Sequence, residues 1–178
     1  MPSAASSIEC SAVPSAGATT GVLLRQLVLL AGPLNVLQIG CPPESVTAGL
    51  AAALSENGRG RVICCEPDPV RAEATAAAVE KAGLGRYAEV RADGPERLHT
   101  TAPGPVDLLL LGGPPQSFLA LLRLVEPRML PGAVVVAHGA RDVGTTCAEF
   151  LAHVRSSGGY VSLALPLDDG VEMAVRAA

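Results

Sequence analysis

The sequence predicts an α/β fold with a doubly wound, mostly parallel sheet. Five short, almost uniformly apolar runs alternate with alanine- or leucine-rich stretches of helical spacing. Such alternation is typical of a parallel sheet that is covered by helices on both faces. Two further strand-like runs close the chain around Asp168, Asp169 and Gly170, the short polar break of an antiparallel hairpin.

The first element is a helix over residues 20–31, where leucines recur at helical spacing until Gly32 and Pro33 end the pattern. The apolar runs that follow predict strands at 34–40, 61–66, 87–93, 106–112 and 133–139. The stretches between and after them predict helices at 45–56, 69–82, 117–128 and 145–156, with a shorter helix near 95–100.

A chain of 178 residues fits one domain. We expect residues 1–19 to form a flexible tail ahead of a single domain over 20–178. The tail lacks the basic start and apolar stretch of a secretory signal, and the apolar windows fall short of the roughly 20 residues needed to cross a bilayer. The sequence therefore predicts a protein that neither enters nor crosses a membrane.

Charge and cysteine content narrow the function further. The formal net charge of -4 leaves no basic surface for phosphate backbones, so we expect no nucleic-acid partner. The five cysteines are an odd number without CxxC spacing or a zinc-type cluster with histidine. Reduced thiols of this kind predict a cytoplasmic protein.

In doubly wound sheets, ligands bind outside the carboxyl ends of the strands, beside the first strand. This rule selects a short set of candidate residues. They are Gly40 to Glu44 after the first strand, Glu66 after the second, Asp93 after the third, Gly112 to Gln116 after the fourth and His138 to Arg141 after the fifth.

Glu66 ends an apolar strand and is the candidate acceptor for the two hydroxyls of a ribose. The alternative is a charge that favours the start of the next helix, a role that Asp68 can also fill. Asp93 is a candidate acceptor for an adenine amino group, or a cap for the helix that follows.

From about Ser15 onward the chain resembles the class I S-adenosylmethionine-dependent methyltransferases, within them the catechol and caffeoyl-CoA type of O-methyltransferase. The matching pieces, in family order, are "NVLQIG", "VICCEPDP", "AVEKAGL", "VRADGPERL", "VDLLLLGG", "EPRMLPGAVVVAHG" and "LPLDDGVEMAVR". The resemblance implies a seven-stranded, Rossmann-like methyltransferase sheet, S-adenosylmethionine as cofactor and a small-molecule substrate. It implies cofactor-binding positions at Gly40, Glu66 and Asp93, with Glu44 and Gly112 in the adjoining turns.

Two departures from the family concern these turns. Glu44 stands where the family has a second glycine, after Pro42 and Pro43, which donate no amide hydrogen. Its charge would repel the cofactor's carboxylate by roughly 1 to 4 kcal/mol at about 4 Å. The carboxylates that hold a divalent cation in metal-dependent members are replaced after the fourth and fifth strands, so we expect no metal.

His138 is the candidate catalytic residue, because a neutral imidazole at the mouth of the cleft can take a proton from a substrate hydroxyl. The alternative is a hydrogen-bonded histidine at a strand end. The sequence thus predicts metal-independent methyl transfer to a small-molecule nucleophile, with a homodimer possible through the leucines at 23, 24, 27 and 30.

Two other functions remain open at this point. One is a degenerate scaffold that transfers no methyl group and serves as a binding or partner subunit, or catalyses another reaction in the same cleft. The other is a dinucleotide-dependent oxidoreductase, which the single glycine of the first turn disfavours because that fingerprint has three.

Overall fold

The computed structural model describes residues 18–40, 45–92, 94, 97, 104–140 and 147–178. A seven-stranded sheet in the order β3-β2-β1-β4-β5-β7-β6 runs through its centre. The first five strands are parallel, and β7 pairs antiparallel with both β5 and β6. The strands are β1 (Asn35–Ile39), β2 (Arg61–Cys65), β3 (Ala88–Arg91), β4 (Val106–Leu111), β5 (Met129–His138), β6 (Tyr160–Leu165) and β7 (Val171–Arg176).

The helices follow the strands as the alternating pattern predicts, and the fold class is confirmed. Residues 126–128 form a 3₁₀ turn rather than the predicted end of a helix, since Pro127 interrupts the α-helical hydrogen bonds. The predicted short helix near 95–100 lies almost entirely outside the described residues. The α-helices are α1 (Ala18–Ala31), α2 (Ser45–Glu56), α3 (Pro69–Lys81), α4 (Phe118–Val125) and α5 (Ala148–Ser156).

Two apolar clusters cover the two faces of the sheet. One joins the sheet to α1, α2 and α3, and the other joins it to α4 and α5. Aliphatic side chains fill most of both clusters, and Phe118 and Phe150 meet edge to face with their ring centres 5.6 Å apart. A mainly aliphatic core, with a pair of phenylalanines on one side, therefore covers both faces of this sheet.

Helix α1 packs against the sheet, and this packing buries part of the leucine surface that the sequence suggests for a dimer. Leu24 is 1% exposed, and Leu23 and Leu27 pack against the same cluster. The outer side of the helix keeps Leu29 and Leu30 exposed, at 39% and 85%. Among the described residues, no helix has the length and apolar character needed to cross a membrane.

The terminal hairpin is tied to the start of α1. Asp168 adopts a φ of 46° in the turn, and its Oδ2 accepts hydrogen bonds from the backbone N and the Oγ1 of Thr20. The backbone N of Gly139 donates to Gly170 O, which fixes the end of β5 beside the same turn. The hairpin and the first helix thus meet at the carboxyl end of β5.

Candidate active site

The carboxyl ends of β2, β1, β4 and β5 lie along one edge of the sheet, because these strands are parallel neighbours. Neighbouring strands lie about 4.8 Å apart, so the ends of β2 and β5 are separated by about 14 Å. This edge therefore brings Glu66, Gly40, Gly112 and His138 into one row, as the sequence predicts for a ligand site.

Two features require glycine at position 40, at the end of β1. They are its backbone conformation and its close contact with the end of β4. Gly40 has a φ of 73°, and its N donates to Cys65 O across to β2. A Cβ at this position would lie 2.1 Å from the backbone oxygen of Gly112 at the end of β4. The ends of β1 and β4 can approach this closely only because residue 40 is glycine.

Burial decreases sharply between Gly112 and Gly113, the two residues that follow β4. Gly112 is buried and donates its N to Ile39 O, whereas Gly113 is exposed, with a φ of 106° and no atom within 4 Å of a Cβ built on it. Ser117 directly precedes α4, but its Oγ donates to Pro114 O and makes no cap bond to the helix. None of the described atoms fills the space directly beside Gly113.

Glu66 is a fully buried carboxylate directly after β2, with 0% of its surface exposed. Its Oε1 accepts hydrogen bonds from the backbone N of Asp68 and from Nη2 of Arg71, both at 2.9 Å. A buried carboxylate needs such partners, because leaving it without them costs several kcal/mol. Arg71 is a residue of the site that sequence reasoning missed, although it lies only five positions after Glu66.

Asp68 is the side-chain cap of the helix that follows Glu66. Oδ1 of Asp68 accepts from the backbone N of Val70 and of Arg71, so Asp68 is the N-cap of α3. Glu66 lies just ahead of the same helix and accepts from the backbone N of this N-cap residue. Both interpretations of Glu66, a ribose contact and a charge favoured at the helix start, therefore stay predictions.

His138 ends β5 at the other end of the row and is partly buried. Its Nε2 is buried and has no hydrogen-bond partner among the described residues. Strand alternation places the side chain on the same face as Val134 and Val136, which is the face covered by α1. A buried polar atom without a partner costs about 1 to 3 kcal/mol, and a ligand group is one way to satisfy it.

Glu44, Asp93 and the loop over 41–44 lie outside the described residues, as does Arg141. Within the described residues, no three His, Cys, Asp or Glu side chains form a group able to hold a metal ion. The described ends of β4 and β5 carry no carboxylate at Gly112, Gly113, Ala137 or His138.

A separate cavity of about 440 Å³ lies at the opposite edge of the sheet, where the strands begin. Leu34, Leu130 and Pro131 contribute to its apolar lining, and Arg59 and Asp107 are the charged residues there. Oδ2 of Asp107 accepts from the backbone N of Leu34 and of Asn35, so this carboxylate holds the start of β1 in place. The cavity is remote from the row of predicted site residues.

The architecture is similar to that of solved methyltransferases. An O-methyltransferase from Bacillus cereus, solved in complex with SAH, superimposes with a TM-score of 0.77 at 23% identity, over 92% of this chain and 84% of that one. The O-methyltransferase TomG from Streptomyces achromogenes, solved with SAM, gives 0.75 at 22% identity, over 90% and 81%. A Staphylococcus aureus protein assigned as a caffeoyl-CoA O-methyltransferase gives 0.77 at 15% identity, over 93% and 86%.

No curated protein matches the chain by sequence. A family model does, and its description is "Methyltransferase domain". The match covers residues 39–140, more than half of the chain, from the end of β1 through the end of β5. It thereby includes Gly40, Glu66, Asp93, Gly112 and His138, and the chain belongs to the methyltransferase-domain family.

Proposed function

We propose that this protein transfers the methyl group of S-adenosylmethionine to an oxygen of a small-molecule acceptor, without a metal ion. The observation that carries the proposal is the buried Glu66 carboxylate at the carboxyl end of β2. It lies beside the close approach of Gly40 to Gly112 at the ends of β1 and β4. Asp68 supplies the side-chain cap of α3, and family membership supports the reaction class. The solved neighbours that carry SAH or SAM support the choice of cofactor.

The described residues fit an adenosyl group at this edge. Glu66 would accept hydrogen bonds from the ribose hydroxyls, while Gly40 and Gly112 keep the strand ends close, and Gly113 leaves space beside them. Asp93 would accept from the adenine amino group. Glu44 would face the cofactor's amino-acid end from the turn after β1.

S-adenosylmethionine supplies an already activated methyl group, so the protein's contribution is mainly orientation of the acceptor and removal of its proton. We assign proton removal to His138. In the tautomer with hydrogen on Nδ1, the buried Nε2 is an acceptor, and it takes the proton of the acceptor hydroxyl. A bound metal would lower the pKa of that hydroxyl, and among the described residues the ends of β4 and β5 carry no carboxylate to hold one.

Binding and turnover test this proposal separately. Titration calorimetry with SAH should give saturable heat, and none at millimolar ligand would refute cofactor binding. Transfer of radiolabelled methyl from S-adenosylmethionine to a panel of catechols and phenols should then proceed equally with and without EDTA. Loss of activity in EDTA would refute metal independence.

His138→Ala should lower kcat by about a hundredfold or more, since a positioned general base contributes about 10² to 10⁴. SAH affinity should stay within about twofold of the wild type, because the ribose end of the site lies across the sheet at β2. His153→Ala is the matched control. His153 lies on α5, away from the row, and hydrogen-bonds Glu126. Equal kcat for the two variants would remove His138 from the mechanism.

The acceptor is proposed to be a small molecule rather than nucleic acid, because the net charge is -4. The cytoplasm is proposed as the compartment, because the five cysteines of the sequence are an odd number without CxxC spacing. Incubation with DNA or RNA substrates should yield no methyl incorporation above background.

We propose a homodimer through β6 rather than through α1. The other outer strand, β3, is short and carries an ion pair between Glu89 and Arg91 at 2.6 Å. β6 contains no charged residue, and its Val161 and Leu163 are 73% and 54% exposed. Edge strands are normally protected by charges, prolines or bulges, and antiparallel pairing of β6 with a second copy would be two-fold symmetric.

Sedimentation velocity tests this arrangement. Leu163→Lys should shift the wild-type dimer to a monomer, because a charge would be placed at the centre of the paired edge. Leu30→Lys, on the open side of α1, should leave the dimer unchanged. A monomeric wild type, or a dimer that withstands Leu163→Lys but not Leu30→Lys, would refute the β6 interface.

A further inference from the structure

We propose that Arg71 is a positioning residue for the cofactor's ribose, acting through Glu66. The inference rests on the proposed function and adds to it a residue that neither spacing nor family motif identifies. Arg71 stands in the first turn of α3, and its Nη2 donates to Oε1 of Glu66 at 2.9 Å.

The difference in burial across this ion pair indicates which partner depends on the other. Glu66 is 0% exposed, whereas the Arg71 side chain is 60% exposed. Arg71 can therefore be solvated without Glu66, but the Glu66 carboxylate loses a charged partner without Arg71. A buried carboxylate in that state turns toward other donors, and this change alters what it offers to a ribose.

The local chain geometry fixes where the guanidinium lies. Asp68 caps α3 and accepts from the backbone N of Arg71 itself, at 3.2 Å. The same Asp68 donates its own N to Oε1 of Glu66. Glu66, Asp68 and Arg71 thus form a closed set of hydrogen bonds, in which the first turn of α3 holds one oxygen of the carboxylate from two directions.

A ribose needs a carboxylate of fixed orientation, because its two hydroxyls donate along defined directions. An ionised carboxylate offers about four acceptor positions, so the two bonds to Oε1 are compatible with additional donors from a ligand. Orientation by Arg71 before the cofactor arrives lowers the ordering cost of binding, which is the general effect of preorganisation.

Calorimetric titration with SAH tests the inference in the full-length protein. Arg71→Gln should weaken SAH binding by about tenfold, and Arg71→Lys should recover much of the loss, since an ammonium can also pair with Glu66. The matched control is Arg25→Gln, since Arg25 pairs with Glu56 on the exposed surface at 2.7 Å. That control should bind SAH as the wild type does.

A second measurement separates positioning from a general loss of structure. In the Glu66→Gln background, Arg71→Gln should cause little further loss of SAH affinity, because the two residues act through one contact. Equal affinity of Arg71→Gln and wild type would overturn the inference, and so would a tenfold loss that persists in the Glu66→Gln background. If the wild type itself binds no SAH, the proposed function fails. If only the Arg71 predictions fail, the proposed function stands.

Discussion

Two buried glutamates, each held by an arginine, lie in different parts of the sheet. Glu66 follows β2 at the carboxyl edge, and Glu172 lies within β7, between β5 and β6. They are 0% and 1% exposed. Arg155 donates to both oxygens of Glu172, at 2.9 and 2.8 Å, and Ser162 donates to Oε1.

The difference between them lies in their surroundings rather than in their chemistry. Glu172 is enclosed by strands on both sides, and its bonds tie α5 and β6 to the start of β7, opposite Ala137 of β5. Glu66 is bonded by the first turn of α3 and stands at the edge where parallel strands end. Burial and an arginine partner are therefore common to a structural and a candidate functional carboxylate, and position in the sheet distinguishes the two.

The largest loss of stability should come from a substitution where the ends of β1 and β4 approach each other, beside Glu66. Gly40→Ala combines a positive φ with a Cβ 2.1 Å from Gly112 O, and should destabilise the fold by about 3 kcal/mol. Gly58→Ala is the control, because Gly58 has a φ of 68° but no atom within 4 Å of a Cβ. That control should lose about 1 kcal/mol. Urea unfolding measures both, and equal losses would mean that the Gly112 contact has no energetic role.

Arg155→Met should destabilise the protein by about 2 to 3 kcal/mol, because it leaves the Glu172 carboxylate buried without its cation. The expected loss is at the lower end of the range for buried pairs, since the Arg155 side chain is 34% exposed. Combining Arg155→Met with Glu172→Leu should restore much of the stability, as it removes the buried charge. A double variant no more stable than Arg155→Met would show that the pair itself, rather than the orphaned charge, stabilises the hairpin.

The fold followed from the sequence more fully than the site did. Residues 45–56 carry a clear helical pattern, and α2 has the predicted bounds. β5 begins at Met129, four residues earlier than predicted. The prediction missed this start because the exposed Leu130, Pro131 and Gly132 have the composition of a turn.

At the site, strand ends identified Gly40 and Glu66, since the carboxyl edge of a parallel sheet can be read from the order of elements. The contacts of these residues could not be predicted in the same way. The approach of Gly40 to Gly112 joins strands more than 60 residues apart in sequence, and the Arg71 bond depends on a side-chain rotamer. The burial of His138 Nε2 depends on contacts between elements distant in sequence, which the local sequence does not indicate.

Glu66→Gln should weaken SAH binding by about tenfold or more, while Glu172→Gln should leave it within about twofold of the wild type. In Glu66→Gln a neutral amide replaces the charged acceptor for the ribose. In Glu172→Gln it replaces a carboxylate whose bonds only hold the hairpin and α5 together. Thermal unfolding should show the reverse order for stability, because Glu172 loses bonds to Arg155 and Ser162. If both variants lost SAH affinity equally, position in the sheet would not separate the two carboxylates.

The smallest effect concerns a third glutamate, Glu126, next to the hairpin. Burial raises the pKa of its carboxyl, but the hydrogen bonds from His153 and Tyr160 and the charges of His153 and Arg176 outweigh it, so the pKa lies below the ordinary 4.5. Burial, and then Glu126 beside it, raise the pKa of Tyr160, which remains a donor throughout the neutral range. Tyr160→Phe removes this donor and should destabilise the protein by about 1 kcal/mol at pH 7.

The pH dependence of that loss follows from the lowered pKa of Glu126. Ionised Glu126 contributes stability that is fully present above the unfolded value near 4.5 and disappears as pH falls through the lower folded value. The difference between wild type and Tyr160→Phe should therefore shrink below about pH 4.5, in urea unfolding followed by circular dichroism. Tyr87→Phe, at the other tyrosine of the chain, should show a difference that is constant with pH. A constant difference for Tyr160→Phe as well would place its stabilisation in packing rather than in the bond to Glu126.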